Sequence, residues 1–222
     1  MRHLWVPLLL CLACPVSAQQ PDTTYFTRAF LRMTTRLAAD TSLPADLRSR
    51  MAELDLDSLD VALFARLDDS AAVTLMRAFS ATLAHVTEEV CAAFVGLSPE
   101  LAGAGFEHAV HGLDSATTDT WVEVFERALR SQADTGVELR IASETETQAA
   151  VVGIVGRLES ADRQRMMAAV VAPNSADRCW AARVLFNGLA GLPAGEAGPL
   201  VRAMFHEGAP ESKAVPPTPP RR

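Results

Sequence analysis

The chain has 222 residues, of which 20 are Lys or Arg and 27 are Asp or Glu, and its formal net charge is −7 at pH 7. An acidic chain without a Lys/Arg cluster repels the nucleic-acid backbone, so nucleic-acid binding is not expected. Apolar residues make up 49% and aromatic residues only 6%, a composition typical of helical proteins and not of β-sandwiches.

The first 18 residues have the composition of a secretory signal. A basic start is followed by an apolar stretch, which Pro15 interrupts and which ends in small residues at Ala18. A membrane-spanning helix needs roughly 20 apolar residues, so this stretch is too short to remain in a bilayer. We expect cleavage after Ala18 and export to the periplasm or the medium, with no transmembrane segment in the mature chain. Acylation of Cys14, which would anchor the chain as a lipoprotein, is the less favoured alternative.

Apolar residues recur every three or four positions along most of residues 22–207, which is the spacing of one helix face. This spacing predicts helices over 22–38, 44–54, 58–67, 70–97, 98–111, a stretch beginning at Thr120, 143–158, 161–172, 176–189 and 195–206. Thr120 with Glu123, and Ser143 with Glu146, have the pattern of capping boxes. The sequence therefore predicts an all-α domain, an irregular bundle of about nine or ten helices with the one over 70–97 at its centre.

Two stretches fall outside the helical pattern. Residues 137–141 alternate between apolar and polar, but a lone strand has no partner, so we expect a loop or a weak helical turn. Residues 208–222 are rich in proline and poor in apolar side chains, so we expect a disordered tail.

A spacing of similar phrases leaves a second architecture open. The phrases contain Leu67, Leu113 and Leu158, which are 46 and 45 residues apart. Two-helix repeats have about 40–47 residues, so an α-solenoid-like stack of helix pairs is the alternative to the bundle.

Three arginines form a stripe on the first predicted helix. Arg28, Arg32 and Arg36 are four residues apart and so share one helix face. The stripe could dock an acidic partner or membrane headgroups, but a solvated face that pairs with acids elsewhere in the fold is favoured.

Two of the four cysteines, Cys91 and Cys179, would remain after cleavage, in a compartment where thiols oxidise. Both lie in helical patterns among apolar neighbours. A disulfide between them and a pair of buried thiols are therefore equally compatible with the sequence.

The best candidate ligands for a metal are His85, Glu107, His108 and His111. His108 and His111 are three residues apart and Glu107 and His111 are four apart, so one helix would gather them on adjacent faces. Zinc needs three or four such ligands, and the HExxH signature is absent from the sequence. We therefore expect ordinary histidines near helix ends, and no metal or cofactor.

No catalytic motif stands out in the sequence. The GxSxG turn of hydrolases is absent, and the glycines of residues 102–105 lack the Lys-Ser/Thr that follows in a phosphate-binding loop. We therefore expect an exported binding or scaffolding module with a protein partner, not an enzyme. The alternative is a metal-dependent envelope enzyme that uses His85, Glu107, His108 and His111.

Overall fold

The structure, a computed structural model, describes residues 24–54, 61–88, 90–91, 109–110, 112–134, 136–171 and 175–206. Within these ranges the chain is all-helical and contains no β-strand. The elements described over their full length are α1 (Tyr25–Ala39), α2 (Ala45–Glu53), a 3-10 helix (Val61–Arg66), α3 (Asp69–His85), α4 (Ser115–Ser131), α5 (Glu144–Gly156), α6 (Ser160–Val171), α7 (Ser175–Ala190) and α8 (Ala194–His206). In this part of the chain, no helix has the length and apolar character needed to cross a membrane. The predicted signal 1–18 with Cys14, and the tail 208–222, lie outside the described residues.

Helix α3 is the central element of the described fold, because α4, α7 and α8 all pack against it. Its first turn is capped by Asp68, whose Oδ1 accepts the main-chain N–H groups of Ser70 at 2.9 Å and Ala71 at 3.0 Å. Around it, α1 packs on α2 and α4, the 3-10 helix packs on α8 and α4, and α5 and α6 pack on α7 at the edge.

The prediction of one helix over 70–97 was wrong. Helix α3 ends at His85, and the backbone of Val86 is extended. The hydroxyl of Thr87 then accepts the main-chain N–H of Val90 at 3.3 Å, which caps a separate helical segment. The apolar spacing continues across this break, so periodicity alone does not reveal it.

Other helix boundaries differ from the predicted ones for local reasons. Thr120 does not cap a helix: it lies inside α4, where its hydroxyl donates to the carbonyl of Ala116 at 2.9 Å. The cap of α4 is Asp114, whose Oδ1 accepts the N–H of Thr117 at 2.7 Å. The capping box of Ser143 and Glu146 at the start of α5 is confirmed, and residues 137–141 form a loop as expected.

An aromatic cluster joins α1, α3 and α4 in the core. The rings of Phe30 and Phe125 meet edge to face at 5.7 Å, and those of Phe79 and Trp121 at 5.0 Å. The indole N–H of Trp121 donates to the hydroxyl of Thr82 at 2.8 Å, which satisfies both buried polar groups. These contacts determine which face of α4 points inward. They therefore also determine that Arg127 and Arg130 of the same helix lie towards the surface.

Candidate functional site

The metal-ligand candidates are only partly within the described residues. His85 is exposed on the last turn of α3, and its Nε2 lies 3.9 Å from Oδ2 of Asp114. Glu107, His108 and His111 lie outside the described residues, so the metal-site hypothesis stays a prediction. Among the residues that the structure describes, no three His, Cys, Asp or Glu side chains are placed to hold a metal ion.

Cys91 and Cys179 form a disulfide in the structure, with their Cα atoms 5.4 Å apart. Both side chains are buried, and together with Leu83 they form a small apolar cluster beside the main core. The bond closes a loop of 88 residues and ties α7 to the helical segment that follows α3. Of the two alternatives that the sequence left open, the structure contains the disulfide.

A buried arginine that the sequence reasoning missed joins four parts of the fold. Arg202 of α8 is only 2% exposed. Its guanidinium donates to the carbonyl of Arg140 at 2.7 Å, to the carbonyl of Leu67 at 2.8 Å and to Oδ1 of Asp69 at 2.8 Å. These bonds fix α8 against the start of α3 and the end of the 3-10 helix, and they hold the 137–141 loop.

Helix α5 carries apolar residues on the side that points away from the fold. Residues 149–156 contain no polar side chain, yet Ile154 is the one fully buried side chain among them. Val152 is 70% exposed. Ala149, Gly153 and Gly156 are also exposed, and helical spacing places them beside Val152. These four residues are called the outward face of α5.

A cleft of about 330 Å³ lies where α4 ends and the 137–141 loop begins. We call it the arginine cleft, and its lining residues are Arg66, Arg127, Arg130, Asp68, Asp134, Ser131, Val137 and Leu139. A second cleft of about 350 Å³ lies between α5 and the start of α8, and it has Arg140, Glu146, Arg157 and Glu196 among its lining residues.

The three arginines of the arginine cleft differ in their partners. Arg127 donates to both carboxylate oxygens of Asp68 at 2.8 Å. Arg130 donates to Asp40 at 2.7 Å and to Glu126 at 3.0 Å. Arg66 donates to a main-chain oxygen, that of Asp134, at 2.6 Å. Its Nε is buried and has no hydrogen-bond partner among the described residues.

The acids beside the cleft are held in their charged forms. Hydrogen bonds from Ser42 and Arg130 lower the pKa of Asp40 from 3.8 to about 2. Burial alone would raise the pKa of Asp68, but the hydrogen bonds from the Ala71 N–H and Arg127 outweigh it, so the pKa is lowered. Both acids therefore remain ionised at neutral pH and keep their arginines paired.

The basic stripe of α1 contributes to the same network. Arg36 pairs with Glu126 of α4, which also accepts from Arg130. This contact agrees with the favoured interpretation of the stripe as a solvated face that pairs with acids. Arg32 is exposed.

The described fold defines an all-α protein, and its candidate sites are one apolar helix face and two surface clefts. The chain matches no protein-family model, and neither a curated protein nor a solved structure is significantly similar to it. Its function must therefore be argued from these surfaces.

Proposed function

We propose that the chain is an exported helical binding module that docks an amphipathic helix of a partner protein on the outward face of α5. The observation that carries this proposal is the exposure of Val152 in an unbroken apolar stretch. A helix that is apolar all round is normally buried on all sides. In α5 the fold buries Ile154 fully and its neighbours on the inward side in part, whereas the outward side has no cover among the described residues and is open to a partner.

The small residues of this face suit a helix more than a flat surface. Ala149, Gly153 and Gly156 leave room for another backbone to approach closely, and Val152 supplies an apolar contact. Glu144 lies at the start of the helix and is exposed, whereas the carboxylate of Glu146 is already paired with Arg140. A partner helix with basic residues beside its apolar face would complement the charge of Glu144.

The disulfide supports the export part of the proposal. Disulfides persist in oxidising compartments and are rare in the cytosol. The bond between Cys91 and Cys179 agrees in this respect with a signal sequence at residues 1–18. N-terminal sequencing of the native protein tests export directly: the expected first residue is Gln19, and a chain that begins at Met1 would contradict it.

The packing of α3 favours an irregular bundle over a solenoid. In a solenoid each repeat contacts its sequence neighbours, whereas α3 packs against α8, which is distant in the chain. In such a bundle the outward face of α5 lies at the edge and is accessible to a partner.

Site-specific photo-crosslinking in the producing cells tests the docking face. A photoreactive phenylalanine analogue at position 152 is expected to yield a discrete protein adduct. The matched control is the analogue at Ala52, an exposed apolar residue of α2. The adduct at 152 should disappear when Gly156→Glu is added, because the glutamate adds charge and bulk to the face. Equal labelling at both positions, or none at 152, would refute the proposal.

A further inference from the structure

The arginine cleft has one guanidinium that no carboxylate of the described residues pairs with. Arg127 and Arg130 are held by carboxylates, whereas Arg66 bonds only a main-chain oxygen among the described residues. An arginine has five N–H donors in a planar fork, so most of those on Arg66 remain available. The fork geometry matches a carboxylate, which can accept two parallel hydrogen bonds.

The lining of the same cleft also includes two apolar side chains. Val137 is 49% exposed, and Leu139 beside it in the lining is half-buried. Both belong to the 137–141 loop, whose main chain Arg202 holds at Arg140, while Arg66 holds the main chain at Asp134, just before the loop. The cleft lining therefore combines a fixed cation with an aliphatic surface.

The charges that line the cleft limit the ligand to a low negative charge. Arg127 is already paired with Asp68, and Arg130 with Asp40 and Glu126, which leaves the single charge of Arg66 for a ligand. A phosphate dianion would be repelled by the two acids of the lining, whereas a single carboxylate needs only Arg66. The volume of about 330 Å³ is at the lower end of the range for small-molecule sites.

We propose that the arginine cleft binds a small aliphatic monocarboxylate, whose carboxylate pairs with Arg66 and whose chain lies on Val137 and Leu139. This site is separate from the outward face of α5, and it does not depend on a protein partner. Its role would be to recognise a small amphipathic anion.

The test is isothermal titration calorimetry of the purified protein with octanoate, compared with octanol, acetate and inorganic phosphate. Octanoate is expected to bind, and each of the other three should bind at least about tenfold more weakly. Octanol lacks the charge, acetate lacks the aliphatic chain, and the phosphate dianion carries two charges where the site takes one. Arg66→Gln should weaken octanoate binding about tenfold or more. The control Arg32→Gln removes the same charge from an exposed position outside the cleft and should leave binding unchanged.

A second variant keeps the test decisive if Arg66→Gln loosens the loop. Val137→Asp retains Arg66 but places a carboxylate in the apolar part of the lining, and it should also abolish octanoate binding while the melting temperature stays near that of the parent. No octanoate binding, binding that Arg66→Gln and Val137→Asp both leave intact, or equal binding of octanol or phosphate would overturn the proposal.

Discussion

Replacement of Arg202 by methionine tests the central claim about the packing of α8. Methionine keeps much of the apolar stem but removes the guanidinium, so the buried carbonyl of Leu67 loses its donor. An unsatisfied buried acceptor costs about 1–3 kcal/mol. The carbonyl of Arg140 is less buried, so its loss adds about 0.5–1.5 kcal/mol. The Asp69 side chain is 44% exposed and can be solvated, so the ion pair adds less than about 1 kcal/mol.

The expected total is therefore a loss of about 3 kcal/mol in the free energy of unfolding. For a protein of this size that corresponds to a melting temperature lower by about 6–12 °C. Urea denaturation followed by far-ultraviolet circular dichroism measures the change, with the disulfide kept oxidised. Arg50→Met, at an exposed arginine of α2, serves as control and should change the stability by less than about 0.5 kcal/mol. If Arg202→Met costs less than about 1 kcal/mol, the buried network does not anchor α8.

Three further outcomes follow from the structure. Replacing both cysteines of the disulfide by serine should lower the free energy of unfolding by up to about 4–5 kcal/mol, because the bond closes a loop of 88 residues. Urea denaturation measures the loss, and unchanged stability would contradict this prediction. The pKa of Asp40 is about 2 when folded and 3.8 ordinarily, so its stabilisation is complete above about pH 4 and is lost as the pH falls towards 2. Asp40→Asn should therefore be less stable than the parent at pH 7 and equal to it below pH 2 in parallel thermal melts. Gly198→Ala should destabilise the protein strongly, because the new Cβ would lie 2.7 Å from the Cα of Asp69. Gly153→Ala has open space around it and should stabilise by about 0.5–1 kcal/mol. If both variants change the free energy of unfolding in the same direction in urea denaturation, the packing described at these two glycines is wrong.

The helices that the sequence predicted best are those with local boundary signals. Helices α6, α7 and α8 begin and end within one residue of the predicted 161–172, 176–189 and 195–206. In the sequence these boundaries are marked by Pro173, the Asn174-Ser175 pair and Pro193, and signals of this kind act through neighbouring residues. The apolar spacing does not reveal the break after His85, because Val86 and Val90 keep the period of the helix before them. The local signal at the break is the cap residue Thr87, which the spacing does not take into account.

The burial of α5 could not be predicted from its pattern. Helical spacing puts Ala150, Val151, Ile154, Val155 and Leu158 on one apolar face, but only Ile154 among them is fully buried, where it lies against Gly188 of α7. Apolar residues also continue around the helix to Val152, so the sequence contains no contrast between an inner and an outer side. How much of an evenly apolar helix is covered depends on which elements pack on it, and that is decided by the rest of the fold.

The sequence around Arg202 contains a signal of a buried arginine, although it is not one that a search for catalytic motifs detects. Arg202 stands between Val201 and Ala203 in a helix that is otherwise apolar on its inner side, and Gly198 precedes it by one turn. A charge at such a position is tolerated only if partners satisfy it, and a glycine one turn away lets another backbone come close enough to supply them. Here the backbone is the start of α3, where Asp69 meets both residues. The sequence could therefore have indicated a buried arginine in α8, but its partners at Leu67 and Arg140 are more than 60 positions away and become visible only in the fold.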